Sequence, residues 1–330
     1  VQITDAFGNP ISSLSVTFSA PASLASGTFA GSGTNIINAL TNASGIATAS
    51  TFTANSVTGT YPVAADYGAL NASFSAENLV GAPSIIELYD GDGQGNTVGE
   101  GFEVSLAVYV RDAGNNPVPN VNVTFTGPAS GASLTFNANG THTVSVVTDL
   151  TGYAESGAMT SNLVAGAYNV TVTAGPASNT FSLENYPDMP ASLIIVSGDG
   201  QTTEAGTAFP LPLEVSLRDQ YGNGIPDAPI EFVSDFGEQP GGWFSSTGEP
   251  SESVTTDLYG TATSSTLNAT SDAGTFNVSA TLVNSALSVQ FTVTSVPGAP
   301  AELWINDGDY QIATLNTSFG LPLSVIVLDS

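Results

Sequence analysis

One pattern recurs along these 330 residues, and its period sets the size of any unit the chain can fold into. The fullest copy is Val215–Phe232, VSLRDQYGNGIPDAPIEF; earlier ones are Val108–Phe125, VYVRDAGNNPVPNVNVTF, and Val1–Phe18, VQITDAFGNPISSLSVTF. A fourth begins at Val325 as VIVLDS. Asp5, Asp112, Asp219 and Asp329 mark the copies at separations of 107, 107 and 110 residues. Each of the three longer copies reads as strand, turn, strand. Val215 and Leu217 alternate with Ser216 and Arg218, which puts the apolar side chains on one face. Asp219–Gly224 then supplies residues that accept turn and left-handed backbone angles.

Two further motifs keep the same order. Thr41-Asn42-Ala43-Ser44-Gly45 recurs as Thr148-Asp149-Leu150-Thr151-Gly152 and Thr256-Asp257-Leu258-Tyr259-Gly260, a tight turn between strands. Gly59-Thr60-Tyr61-Pro62-Val63 recurs as Gly166-Ala167-Tyr168-Asn169-Val170 and Gly274-Thr275-Phe276-Asn277-Val278, each alternating as a half-buried strand does. Gly81-Ala82-Pro83, Met189-Pro190-Ala191 and Gly298-Ala299-Pro300 read as joints between units. The clearest core strand is expected over Phe102–Val110, where every even residue is apolar. Helical periodicity is absent over any useful length, and Gly and Pro sit at turn positions. The expected class is all-β, with seven or eight short strands in each unit of roughly 100 residues.

Charge narrows the partners. The chain has 29 acidic residues against two basic ones, Arg111 and Arg218, for a net charge of −27. With no Lys/Arg patch to neutralise phosphate, nucleic acid and anionic membranes are not expected partners. No apolar run is long enough to span a bilayer, so no membrane insertion is expected in this segment. Cys is absent, so disulfides contribute nothing, although units of this size do not need them. The absence of Lys also excludes Lys–Asn isopeptide staples.

Taken together, the apolar strand, the Pro-Ala joint, Gly198-Asp199-Gly200-Gln201, V-x-L-R-D-x-x-G-N-x-x-P, T-D-x-x-G-x-A and G-x-Y/F-x-V resemble the group 1 bacterial Ig-like domains of the invasin/intimin type. The resemblance covers essentially the whole chain. It implies tandem immunoglobulin-like β-sandwiches in a large secreted or surface protein of a prokaryote. The units would be residues 1–80, lacking the first strand, then 81–187 and 188–297, both complete, with 298–330 carrying the first strands of a further copy. This family normally carries Lys, and here the chain departs from it. The incomplete copies fit a window on a longer array. The alternative is head-to-tail joining of subunits by strand exchange, against which Val325–Asp329 duplicates the strand already present as Val1–Asp5.

Chemistry-bearing residues are few. His142 is the one His and is expected to face solvent from a strand; with no Cys, no His/Cys metal site or catalytic dyad can form, and no enzymatic activity is expected. Asp90-Gly91-Asp92-Gly93 resembles the opening of a calcium loop, with Asp307 and Asp309 as counterparts. The twelfth position is Gly101, not the Glu an EF-hand requires, so a plain turn is the stronger expectation. No other cofactor is implied. Glycosylation sequons begin at Asn42, Asn71, Asn122, Asn139, Asn169, Asn268, Asn277 and Asn316, most of which chance supplies in a chain this rich in Asn, Ser and Thr. Trp243 and Trp304 raise the further option of sugar stacking, though a strand Trp more often packs into a core or interface.

The expected role is structural: an extracellular filament or a cell-surface stalk of Ig-like units joined end to end, partnered by further repeats or neighbouring copies. The alternative is an adhesin segment that binds a host protein or glycan itself. The two differ in one observable. Binding calls for a non-periodic exposed aromatic or apolar patch on one unit, whereas a purely structural role calls for near-equivalent surfaces.

Overall fold

The protein is represented by a computed structural model that describes residues 1–235 and 240–329; Ser330 of the last expected segment lies outside them. Every regular element among the described residues is a β-strand. The chain divides into two compact units, Val1–Tyr186 and Pro187–Ser330.

Within the first unit, residues Ile85–Tyr186 form a complete two-sheet sandwich. One sheet has three strands, in the order Tyr153–Glu155, Ala107–Arg111, Ile85–Asp90. The other has five, in the order Thr143–Val147, Asn122–Thr126, Gly166–Ala174, Ala177–Tyr186, Gly95–Thr97. Alternation drives the closure. Val108 and Val110 from the small sheet meet Val123, Phe125, Val170, Val172 and Phe181 from the large one, all of them fully buried. Phe125 anchors this core, with ring centroids 6.4 Å from Phe136 and 6.1 Å from Phe181. Each such ring contributes about 1.5–3 kcal/mol through its removal from water.

The preceding sandwich repeats the large sheet with Ser15–Ser19, Ile36–Leu40, Gly59–Tyr67 and Leu70–Asn78. Phe18, Phe29 and Phe74 occupy the places of Phe125, Phe136 and Phe181, and a separate core forms around Val16, Phe18 and Phe29. Phe74, however, is 47% exposed. The strands equivalent to Ile85–Asp90 and Gly95–Thr97, which close the next sandwich, have no counterpart among residues 1–80.

In the second unit, Pro190–Val296 again gives a three-stranded sheet (Pro190–Ser197, Glu214–Asp219, Thr261–Thr263) facing a five-stranded one. Phe232, Phe244 and Phe291 form the equivalent aromatic centre, with Phe232 centroids 6.2 and 6.4 Å from the other two. Beyond it, Pro300–Asp307 pairs antiparallel with Ser324–Asp329. Leu303, Phe319 and Leu323 there are exposed, whereas their equivalents Leu193, Phe209 and Leu213 are buried.

One expected strand is shorter than its pattern implies. Of Phe102–Val110, only Ala107 onward joins the ladder. The Gln94 amide stands in for a strand neighbour, donating to the Val104 carbonyl at 2.8 Å. Phe102 N–H reaches Met159 O and Leu106 N–H reaches the Ser156 hydroxyl. The alternating burial of Phe102 and Leu106 survives, but Val104 is 37% exposed.

Candidate functional sites at the joints and on one sheet face

The aspartate that marks the repeat does two jobs. Its Oδ1 closes the following turn by accepting two backbone N–H groups, from Gly114 and Asn116 at Asp112 (2.9 and 2.8 Å) and from Tyr221 and Asn223 at Asp219 (2.9 and 2.8 Å). Asp5 does the same with Phe7 and Asn9. Its Oδ2 reaches back to the joint. Gly81 N–H donates to Asp112 at 2.9 Å, Asp188 N–H to Asp219 at 3.0 Å and Gly298 N–H to Asp329 at 2.8 Å. Asp112 and Asp219 are buried. Burial raises the pKa of Asp112, but donors from Gly81, Asn116 and Gly114 outweigh it and hold the carboxyl below its ordinary range. The balance is the same at Asp219, where burial is opposed by the Asn223 amide and the N–H groups of Asp188, Asn223 and Tyr221. Asn116, in the turn of this motif, also ties the first sandwich to the second: its amide donates to Ser56 O at 2.6 Å and its Oδ1 accepts from Thr58 N–H at 3.4 Å.

The second motif is a turn locked from both sides. Asp149 Oδ1 accepts from Thr151 and Tyr153 N–H, Asp257 Oδ1 from Tyr259 and Thr261 N–H, and Asn42 Oδ1 from Ser44 and Ile46 N–H. The preceding threonine is buried and bridges two segments: Thr148 Oγ1 accepts from Val121 N–H and donates to Val118 O.

The calcium candidates lie at the end of the first strand of a sandwich, Asp90 and Asp307, and in the turn after it, Asp92 and Asp309. Asp92 Oδ1 accepts Ser182 N–H at 2.8 Å, and Asp199 repeats this with Thr292. Asp90 and Asp307 accept the N–H of the next glycine, and Asp309 that of Tyr310. The glutamine of Gly-Asp-Gly-Gln organises the loop: Gln201 donates to Gly198 O and Leu211 O, and Gln311 to Gly308 O and Leu321 O. Among the described residues no group of three or more His, Asp or Glu side chains converges.

Of the sequon asparagines, Asn71, Asn122, Asn169 and Asn316 are exposed, Asn268 and Asn277 are half-buried, and Asn42 and Asn139 are engaged in their own turns. His142 is exposed in the bend just before Thr143–Val147 rather than in the strand, and its carbonyl accepts Gly127 N–H. Trp243 is partly exposed beside buried Phe244; Trp304 is exposed and its indole N–H donates to Glu302 at 2.8 Å.

One surface breaks the repeat. On the outer face of the second sandwich's small sheet, Tyr109 lies opposite Glu87 on one side and Tyr153 on the other. Tyr89 joins them, its ring perpendicular to both at centroid distances of 5.1 and 5.9 Å; Tyr109 and Tyr153 are 5.5 Å apart. Ala107, on the same face, is only 2% exposed. Arg111 sits 5.7 Å above the Tyr109 ring and pairs with Glu87 at 3.4 Å. The Tyr153 hydroxyl donates to Glu155 at 3.1 Å; burial, then Glu155, push its pKa up to about 12. The third sandwich carries Val196, Ser216 and Thr261 at the three tyrosine positions.

No protein-family model matches this chain, and neither does any curated protein. Among solved structures, the crystal structure of invasin, a bacterial integrin-binding protein, is similar at 17% identity and a TM-score of 0.44, over 93% of this chain and 58% of that one. Domains 4–9 of the surface layer protein SbsC follow at 15% identity and 0.28, over 93% and 42%. The D0-D1 domain of intimin is similar at 16% identity and 0.24, over 64% and 98%. The chain thus spans just over half the length of the invasin structure it matches. Its fold is that of tandem immunoglobulin-like β-sandwiches, built as two facing sheets around separate cores. Among the described residues no helix is long and apolar enough to cross a membrane.

Proposed function

We propose that the chain is a structural repeat region of an extracellular prokaryotic filament or surface-protein stalk, made of sandwiches joined end to end. The observation that carries this reading is the recurrent joint clasp, in which Gly81, Asp188 and Gly298 each donate to the aspartate of the sandwich that follows. A buried carboxylate holding both a turn and the joint residue before its own sandwich fixes where the chain enters that sandwich without any covalent staple. The self-contained cores support load independently, and a net charge of −27 keeps neighbouring chains apart until salt or cations screen it. Further repeats or copies of the chain are the partners, and the cell surface is the location this role requires. Small-angle scattering tests it. A radius of gyration near the ~20 Å of one compact 330-residue domain would sink it.

A second reading, direct binding by one repeat, is favoured by the Tyr89–Tyr109–Tyr153 face, which the neighbouring sandwich does not share.

A further inference from the structure

The tyrosine face contains its own example of what it can recognise. Arg111 is held between an aromatic face and a carboxylate, with Tyr109 below it and Glu87 beside it. A second ring-and-carboxylate pairing lies across the sheet, where Tyr153 donates to Glu155 and the Tyr89 ring stands 5.9 Å from that of Tyr153. Among the described residues no ion pair joins Glu155 to a basic side chain. The other basic side chain, Arg218, is engaged in its own turn, where it donates to Gly222 O at 2.8 Å. Tyr89 is 61% exposed, so part of the cluster is open to solvent.

A purely structural reason for the cluster exists, since cross-strand aromatic pairs stabilise a sheet. It does not account for the placement of both carboxylates: Glu87 and Glu155 are replaced by Ile194 and Thr263 in the third sandwich, along with all three tyrosines. Aromatic rings and acids are present together in one repeat and absent together in the next. A ring face is attracted to a cation, most strongly to a guanidinium that can stack, and an adjacent carboxylate adds a charge-assisted hydrogen bond. We propose that the Tyr89–Tyr153–Glu155 corner of the second sandwich is a docking site for an arginine side chain presented by a partner protein. This goes beyond the stalk role and does not depend on it. The net charge of −27 gathers basic partners without selecting among them, and the corner fixes where one guanidinium seats.

The test uses the full 330-residue chain at physiological salt, titrated calorimetrically with a twelve-residue Arg-Gly peptide, its Gln-Gly analogue and a neutral oligosaccharide. Tyr89→Leu keeps apolar area while removing the ring, Glu155→Gln removes the charge, and Glu231→Gln removes an exposed charge from the third sandwich. An unchanged melting temperature checks that each variant folds. The expected result is saturable binding of the Arg peptide, weakened at least five-fold by Tyr89→Leu and by Glu155→Gln and less than two-fold by Glu231→Gln. Equal weakening by all three carboxylate and ring variants, or none by Tyr89→Leu, overturns the site in favour of diffuse attraction. Tyr89-dependent binding of the Gln analogue or the oligosaccharide overturns it in favour of neutral stacking.

Discussion

The Tyr61 hydroxyl donates to Asn78 Oδ1 at 2.8 Å in the interior of the first sandwich. Asn78 in turn donates to Ser26 O, Asn55 Oδ1 and Val57 O, joining three segments at one end of the sandwich. The second sandwich keeps both residues as Tyr168 and Asn185, and Asn185 makes the matching donations, but the Tyr168 hydroxyl and Asn185 Oδ1 are buried without a partner. The third has Phe276 and Ser295 instead. Loss of the hydroxyl therefore has opposite consequences in the two sandwiches. Tyr61→Phe leaves Asn78 Oδ1 unsatisfied and is expected to cost about 1–3 kcal/mol. Tyr168→Phe removes a buried group that already lacks a partner and is expected to be neutral or stabilising. Hydrogen exchange in Gly59–Tyr67 and in Gly166–Ala174 reads each effect in its own sandwich; equal losses in both would contradict the pairing.

The joint clasp predicts a dependence on acid. The folded pKa of Asp112 lies below its unfolded value, so its stabilising contribution is complete above the ordinary Asp range of about 3.9. That contribution is lost as pH falls through the lower, folded value. Protection of the Gly81 amide, corrected for intrinsic exchange, should hold from neutral pH to pH 5 and decline below pH 4. Asp112→Asn exchanges a charged acceptor for a neutral amide and should weaken the joint by about 1–3 kcal/mol while flattening this pH response. Gly81 protection equal to wild type in the variant would show that the joint is held by other means.

Much of this was legible in sequence because the motifs are local. A turn that needs an acceptor at one position and a left-handed residue three or four later leaves a dense signature, and the period of that signature gives the repeats. The second job of Asp112 left no such mark, since its partner Gly81 is 31 residues away and donates from the backbone. The shortened strand before Val110 was hidden for a related reason: a glutamine side chain does the work of a neighbouring strand, while apolar alternation continues through it. The tyrosine face was visible only in part. Tyr89, Tyr109 and Tyr153 lie at outward positions of three separate strands, and only the register shows that they meet.

The acidic loops yield a further expectation. Asp92 is a tie from the loop to Ser182 on the last strand, and Asp90 caps its own turn. Millimolar calcium in place of EDTA should leave the melting temperature unchanged. Asp92→Ala should cost about 0.5–1.5 kcal/mol through the lost hydrogen bond, in either buffer. A calcium-dependent rise in melting temperature that Asp92→Ala abolishes would instead establish a metal site in this loop.

Gly152 gives the sharpest local test of the turn motif. Its φ is +77°, and a Cβ there would lie 2.5 Å from the Val110 carbonyl oxygen. That carbonyl accepts Val118 N–H, while Val110 N–H donates to Gly152 O, so neither backbone can retreat without breaking a bond that seats the core strand. Gly157 nearby has a similar φ of +75°, but a Cβ there would meet nothing within 4 Å. Gly157→Ala should therefore cost only the left-handed strain of about 1–2 kcal/mol. Gly152→Ala adds the clash to that strain and should destabilise the second sandwich by clearly more, as read from urea unfolding of its Tyr168-containing strand by hydrogen exchange. Equal costs for the two variants would mean that φ alone, and not the close approach to Val110, demands glycine in this turn.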